Sequence, residues 1–191
     1  PLCCGRTFLS AGLVDEAKQE AQRLVDALLP FAAQGIPVIG LEPSCLLTLR
    51  DEIPALLPGE DTKLLAKHAR MLEEFIADQG DNPDFALHGH CHQKAMGVMS
   101  SIEKTLACLP DTEVEVVETS CCGMAGAFGY GVETHDVSRK MAELDLVPAV
   151  RDAAQDTIIV ADGTSCRHQI ADLTDRKPIH IARLLERALK Q

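Results

Sequence analysis

Residues 120–131 read Ser-Cys-Cys-Gly-Met-Ala-Gly-Ala-Phe-Gly-Tyr-Gly. Two adjacent cysteines, Cys121 and Cys122, can face one centre only if the backbone turns sharply after them. Gly123 permits the left-handed φ or the close approach that such a turn needs. The small residues that follow let the loop lie flat against a bulky group. The same signature stands at the start of the chain, as Cys3-Cys4-Gly5. Each pair is followed about forty residues later by a Ser-Cys, in Glu42-Pro43-Ser44-Cys45 and in Gly163-Thr164-Ser165-Cys166. A repeated pair, glycine and distant Ser-Cys point to a duplicated thiol site.

Outward from these motifs, apolar spacing predicts a helix over 13–34 closed by Gly35, an extended run over 36–41, a short helix over 46–57 broken at Pro54, and a long amphipathic helix over about 61–79. Gly80-Asp81-Asn82-Pro83 is a clear turn and the expected boundary between two repeats, residues 1–80 and 81–191. The second half repeats the cycle. Strands are expected over 85–88, 113–118 and 157–161, and helices over 91–109, 135–154 with an interruption near Pro148, 166–173 and 179–189. Strands alternating with helices argue for an α/β fold of two pseudo-repeated βαβ-type units with parallel sheets. In this reading Cys45, Cys91, Cys121 with Cys122, and Cys166 each follow a strand and precede or open a helix. Strand carboxyl ends line the ligand crevice of open α/β sheets, and helix N-termini favour the thiolate form that binds metal. Cys108, late in a helix beside Leu106 and Leu109, reads instead as a small core residue.

Composition narrows the function. The chain has 191 residues, 46% of them hydrophobic, enough for a buried core. A formal charge of −11 and no basic stripe argue against nucleic acid and anionic membrane surfaces as partners. No apolar run reaches the roughly 18 residues of a transmembrane helix, so a cytoplasmic location, at most peripheral to the inner membrane, is expected. Eight cysteines without a secretion signal point to reduced thiols for metal or redox chemistry rather than to a disulfide framework. The chain begins Pro1-Leu2-Cys3-Cys4 without an initiator Met, as a piece excised from something longer would.

The ordered set Cys91, Cys121, Cys122 and Cys166 suits tetrahedral zinc or an iron–sulfur cluster, and its long spacings require a folded sheet to assemble it. His88, His90 and His92 surround Cys91, and His168 follows Cys166; His90 and His92 are candidates for hydrogen bonds to the bound group. Asp162, Glu42 and Glu118 fall at strand ends. The glycine string after Cys122 lacks a phosphate-binding lysine and the dinucleotide spacing. The vicinal pair lacks the Cys-x-x-Cys spacing of thiol–disulfide enzymes, and nothing resembles a Ser-His-Asp hydrolase.

The strings His88-Gly-His-Cys91-His-Gln-Lys94, Ser120-Cys-Cys-Gly-Met-Ala-Gly-Ala-Phe-Gly-Tyr130 and Ala161-Asp-Gly-Thr-Ser-Cys-Arg-His-Gln-Ile170 resemble the cysteine-rich CCG domain family. That domain usually occurs twice per protein. It is found in iron–sulfur subunits of glycolate oxidase and anaerobic glycerol-3-phosphate dehydrogenase, in a heterodisulfide reductase component, and at the end of large FAD-linked 2-hydroxyacid dehydrogenases. The resemblance implies metal ligation by Cys91, Cys121, Cys122 and Cys166 in the second repeat and by Cys3, Cys4 and Cys45 in a truncated first one, whose leading cysteine is expected upstream of Pro1. Gly5 and Gly123 would then lie against the cofactor. It implies an iron–sulfur cluster, of 4Fe-4S type, relaying electrons from FAD on a flavin-containing dehydrogenase domain or subunit, through a ferredoxin-like domain, toward a quinone or other acceptor. The fragment alone is not expected to turn over substrate. Where heterodisulfide reductase closes its motif with a further cysteine this chain has Thr48 and Gln169, so heterodisulfide cleavage is not implied. The rival expectation is a zinc-stabilised docking module.

Overall fold

The structure, a computed structural model, describes residues 2–78, 91–106, 109, 114–119 and 121–188. It is mixed and mostly helical, and it divides into two compact units, Pro1–Phe75 and Ile76–Gln191.

The first unit opens with α1 (Arg6–Ser10) and α2 (Val14–Ala32). Ala17, Ala21, Val25 and Ala32 form the buried stripe of α2, and their small side chains let it lie close against α5 (Glu60–His68), which buries Thr62 and Leu65 in return. Between them run β1 (Val38–Gly40), α3 (Pro43–Arg50) and α4 (Glu52–Leu56). After α5 comes β2 (Ala69–Met71), parallel to β1 with Val38 opposite Ala69 and Gly40 opposite Met71. This is a βαβ unit with strands of three residues each. Gly40 is needed there: a Cβ on it would stand 2.7 Å from the Leu46 side chain. The chain continues into α6 (Leu72–Ala77), on which the division between the units falls.

β2 corrects the expected long helix over 61–79. Ala69 and Met71 are buried at 1% and 0% exposure, so pairing with β1 gains more than continued helix would. Glu74 fixes the turn. Its carboxylate accepts the Met71 amide at 2.8 Å and, through both oxygens, accepts from Arg50 Nη1 at 2.8 and 2.7 Å. The expected break at Pro54 lies instead at Asp51, because Pro54 occupies the first turn of α4, where its missing N–H costs nothing.

In the second unit α7 (Cys91–Ala95) and α8 (Met99–Leu106) replace one expected helix. Gly97, at φ 70°, ends α7 in a left-handed cap, with Val98 N bonded to Gln93 O at 3.1 Å. Then follow α9 (His135–Ala142), α10 (Leu146–Asp152), α11 (Thr164–Leu173) and α12 (Ile181–Ala188). The helix expected over 135–154 breaks at 143–145, not at Pro148, which again lies in a first turn. Residues 114–119 form no strand, and the one expected over 157–161 contributes a single parallel bridge, Val160 to Ile179. Ile102 and Leu106 of α8 pack on Ile181 of α12. The expected turn at 80–83 and strand at 85–88 lie outside the described residues. Among the described residues no helix is long and apolar enough to cross a membrane.

Candidate functional site

The candidate ligands are placed by helix starts. In α3 the carboxylate of Glu42 accepts the Ser44 amide at 3.4 Å and Pro43 occupies the first turn. Cys45 thereby becomes the third residue of its helix. Cys166 is likewise the third residue of α11, and Cys91 the first of α7. Cys121 and Cys122 arrive on the loop before a 3₁₀ turn, Phe128–Tyr130.

These segments bring the sulfurs of the second unit together. Cys166 Sγ donates to Cys122 Sγ at 3.3 Å, both buried. Cys122 is also bonded to Cys121, and Cys121 to Cys91. The sulfurs of Cys122 and Cys166 are built into the apolar core beside Met124, Leu146, Val150, Ala161 and Ile170. In the first unit Cys4 and Cys45 are bonded side chain to side chain, with Cys3 beside them. No disulfide links the described cysteines.

The backbone after each pair supplies donors to sulfur. Gly123 N points at Cys121 Sγ at 3.3 Å, and Gly5 N at Cys3 Sγ at 3.4 Å. Met124 N donates to Cys122 as Arg6 N does to Cys4, and Ala125 N adds a second donor to Cys121. Positive φ angles at Gly123 (87°), Ala125 (39°) and Gly126 (70°) turn these amides inward, in the manner of an anion-binding nest. Gly5 has φ 81°. A Cβ at Gly123 would fall 2.2 Å from Ser138 O, and one at Gly5 2.7 Å from Ala17 O. Ser138 and Ala17 are each the fourth residue of the next long helix, α9 and α2.

Charge is unevenly shared along the sulfurs. Cys121 ionises far below an ordinary thiol, because Cys122 and Cys91 donate to it and the Gly123 and Ala125 amides add to them. Cys122 is pushed up by its bonds to Cys121 and Cys166 and by burial, and Cys91 by its bond to Cys121 and by burial. In the first unit Cys4 is lowered to about 6, first by the Cys45 bond, while Cys45 is raised by the same bond. Each network readily holds one negative charge and resists a second. Only a cation or cationic cluster lets several thiolates coexist.

Among the described residues no three His, Cys, Asp or Glu side chains converge in the arrangement of a formed metal site; the sulfurs form a chain of pairwise contacts. The donor chemistry nonetheless fits a thiolate-bound group: reduced sulfurs drawn together from three segments, with inward amides that favour charge on sulfur. His90 lies outside the described residues, as does the side chain of His92 and all of Cys108. Thr48 and Gln169 are both buried and spoken for: Thr48 Oγ1 donates to Ser44 O at 2.7 Å, and Gln169 Nε2 to Ser138 O and Oγ at 3.2 and 2.9 Å. Sequence reasoning missed the Gln169–Ser138 clamp behind Gly123 and the bond between Tyr130 Oη and His168 Nδ1 at 2.5 Å. Neither has a local signal, since their partners lie 31 and 38 residues apart.

Residues 85–171 match the family model of the CCG cysteine-rich domain. The chain is 28% identical to a subunit of the anaerobic glycerol-3-phosphate dehydrogenase of Escherichia coli (strain K12), over 98% of its own length and 49% of that protein. It is 28% identical to D-2-hydroxyglutarate dehydrogenase of the same organism, over 83% of this chain and 16% of the enzyme. With lactate utilization protein A of Bacillus velezensis it shares 27% identity over 96% of this chain and 82% of that protein. The chain thus spans about half of the first of these relatives and a much smaller part of the second. No solved structure matches it significantly.

Proposed function

We propose that this chain is an iron–sulfur electron-transfer domain of a flavin-linked dehydrogenase or oxidase acting on a 2-hydroxyacid. The observation that carries the reading is the sulfur network Cys91–Cys121–Cys122–Cys166, gathered from three separate segments and faced by backbone amides. These four cysteines would hold a 4Fe-4S cluster, and Cys3, Cys4 and Cys45 would form part of a second set in a first repeat over 1–80, the second repeat being 81–191. A cluster supplies one-electron transfer. The amides of Gly123, Met124 and Ala125, by bonding to ligand sulfur, would make its potential less negative, and His90 and His92 would add donors near Cys91.

FAD on a partner domain or subunit would oxidise the substrate and pass electrons here, directly or through a ferredoxin-like domain, for delivery to a quinone or other acceptor. The relatives support this assignment, being a dehydrogenase subunit, a 2-hydroxyacid dehydrogenase and a lactate utilization protein. The domain would work in the cytoplasm, at most peripheral to the inner membrane. Reductive titration tests the reading. The anaerobically purified chain should absorb in the visible, bleach on reduction and recover on reoxidation. A colourless chain that holds stoichiometric zinc contradicts it and supports a zinc-stabilised docking module.

A further inference from the structure

Asp162 is wholly buried, at 0% exposure, and its carboxylate joins three parts of the second unit. Oδ2 accepts from Gln93 Nε2 at 3.1 Å, and Oδ1 accepts the Ile181 amide at 3.1 Å. The His180 ring stands 3.7 Å from Oδ1. Gln93 is itself at 0% exposure, two residues beyond Cys91 on α7. Asp162 lies four residues before Cys166, and Ile181 opens α12. The backbone around Asp162 is held from the other side: Arg167, the residue after Cys166, donates to Ala161 O at 2.9 Å and also to Asp162 O.

We propose that Asp162 and Gln93 are a positioning pair for the second thiol site. Their bond, between residues 69 apart in sequence, fixes the start of α7 with Cys91 against the start of α11 with Cys166. The proposal rests on the reading of these thiols as metal ligands, not on which metal group they hold. A buried carboxylate is costly unless its oxygens are well bonded, and here it accepts from two donors on separate segments at once. Apolar packing could hold these segments near one another. Only a directional bond sets their register to the few tenths of an ångström that metal–sulfur bonds require.

Three substitutions separate the tie from the fold. Gln93→Ala cuts the bond to α7 and leaves the one to α12. Asp162→Ala cuts both. Asp162→Asn keeps both, since its oxygen can accept from Ile181 N while its NH₂ donates to Gln93 once the Gln93 amide turns over. The probe is Co²⁺, titrated anaerobically into the reduced chain in a Cys3→Ser/Cys4→Ser background that silences the first set, with thiolate-to-cobalt absorbance as readout. Circular dichroism confirms folding.

Gln93→Ala should weaken Co²⁺ about 10–100-fold and lower the absorbance toward that of Cys91→Ser. Asp162→Ala should do at least as much, and Asp162→Asn should rescue both affinity and spectrum. A folded Gln93→Ala chain with unchanged affinity and spectrum overturns the proposal, as does an Asp162→Asn chain no better than Asp162→Ala. A parent chain that binds Co²⁺ without thiolate absorbance overturns it together with the metal-site reading. A parent that gives this absorbance yet takes up no iron and sulfide removes only the iron–sulfur assignment.

Discussion

Cys166 Sγ lies 3.3 Å from Cys122 Sγ, and neither residue is more than 2% exposed. The separation is well beyond the ~2.05 Å of a disulfide, so the pair stands as two reduced sulfurs inside an apolar cluster that also holds Leu146, Val150 and Ile170. The candidate site and the core of the second unit share atoms, so a metal group held there would be tied to stability.

Replacing Cys166 by Ala should therefore act twice. In the metal-free chain it removes one buried sulfur and should cost about 1 kcal/mol. In the loaded chain the loss should be several times larger, because a group that binds only the folded state adds its binding free energy to folding. Urea unfolding of both variants with and without metal reads the difference. Equal losses in the two states contradict the coupling.

Gly123→Ala should destabilise by more than the roughly 1–2 kcal/mol that a left-handed φ costs an ordinary residue, since its Cβ would also meet Ser138 O at 2.2 Å. Gly5→Ala should be milder, with its nearest atom, Ala17 O, at 2.7 Å. Chemical denaturation of the metal-free chain ranks them. The opposite order contradicts the stated role of the two turns.

Thiolate absorbance near 240 nm should rise in the metal-free chain as pH climbs through about 6, where Cys4 ionises, instead of near the ordinary thiol value of 9.0. The main cause is the bond from Cys45. Cys45→Ala removes that donor, so the Cys4 step must move to higher pH, whereas a shift due to Arg6 alone would leave the step in place. A Cys121→Ser background isolates this step from the more acidic one in the second unit.

Glu74→Ala should cost the first unit about 3 kcal/mol. It leaves Arg50 without its carboxylate partner Glu74 and the buried Met71 amide without an acceptor. Glu74→Gln, which keeps an acceptor for Met71, should recover part of the loss. Denaturant midpoints at constant slope test the order.

The thiol signatures were legible because they are local. A paired cysteine followed by glycine announces its own turn, and the positive φ angles at Gly5 and Gly123 follow from residue type. The helices at Cys45 and Cys166 were expected from 46 and 166, but they begin earlier, at Pro43 and Thr164, so that both cysteines lie within the first turn. β2 was not, because Ala69, Arg70 and Met71 continue the helical spacing of 60–68 and become a strand only by pairing with residues about thirty positions earlier. The Val160–Ile179 bridge is shorter than the apolar run over 157–161 promised, since half-exposed Ile158 has no strand beside it in the described residues. Asp162 could be placed at a strand end, but nothing near it in sequence reveals Gln93 as its partner. Contacts between residues so far apart along the chain are set by the fold alone.

The most direct test of the electron-transfer reading is iron, acid-labile sulfide and zinc analysis of the anaerobically purified chain beside its Cys122→Ser variant. Iron and sulfide in comparable amounts, falling sharply in the variant while its circular dichroism stays native, are the predicted result. Stoichiometric zinc without sulfide, or iron and sulfide unaffected by loss of Cys122, would contradict it.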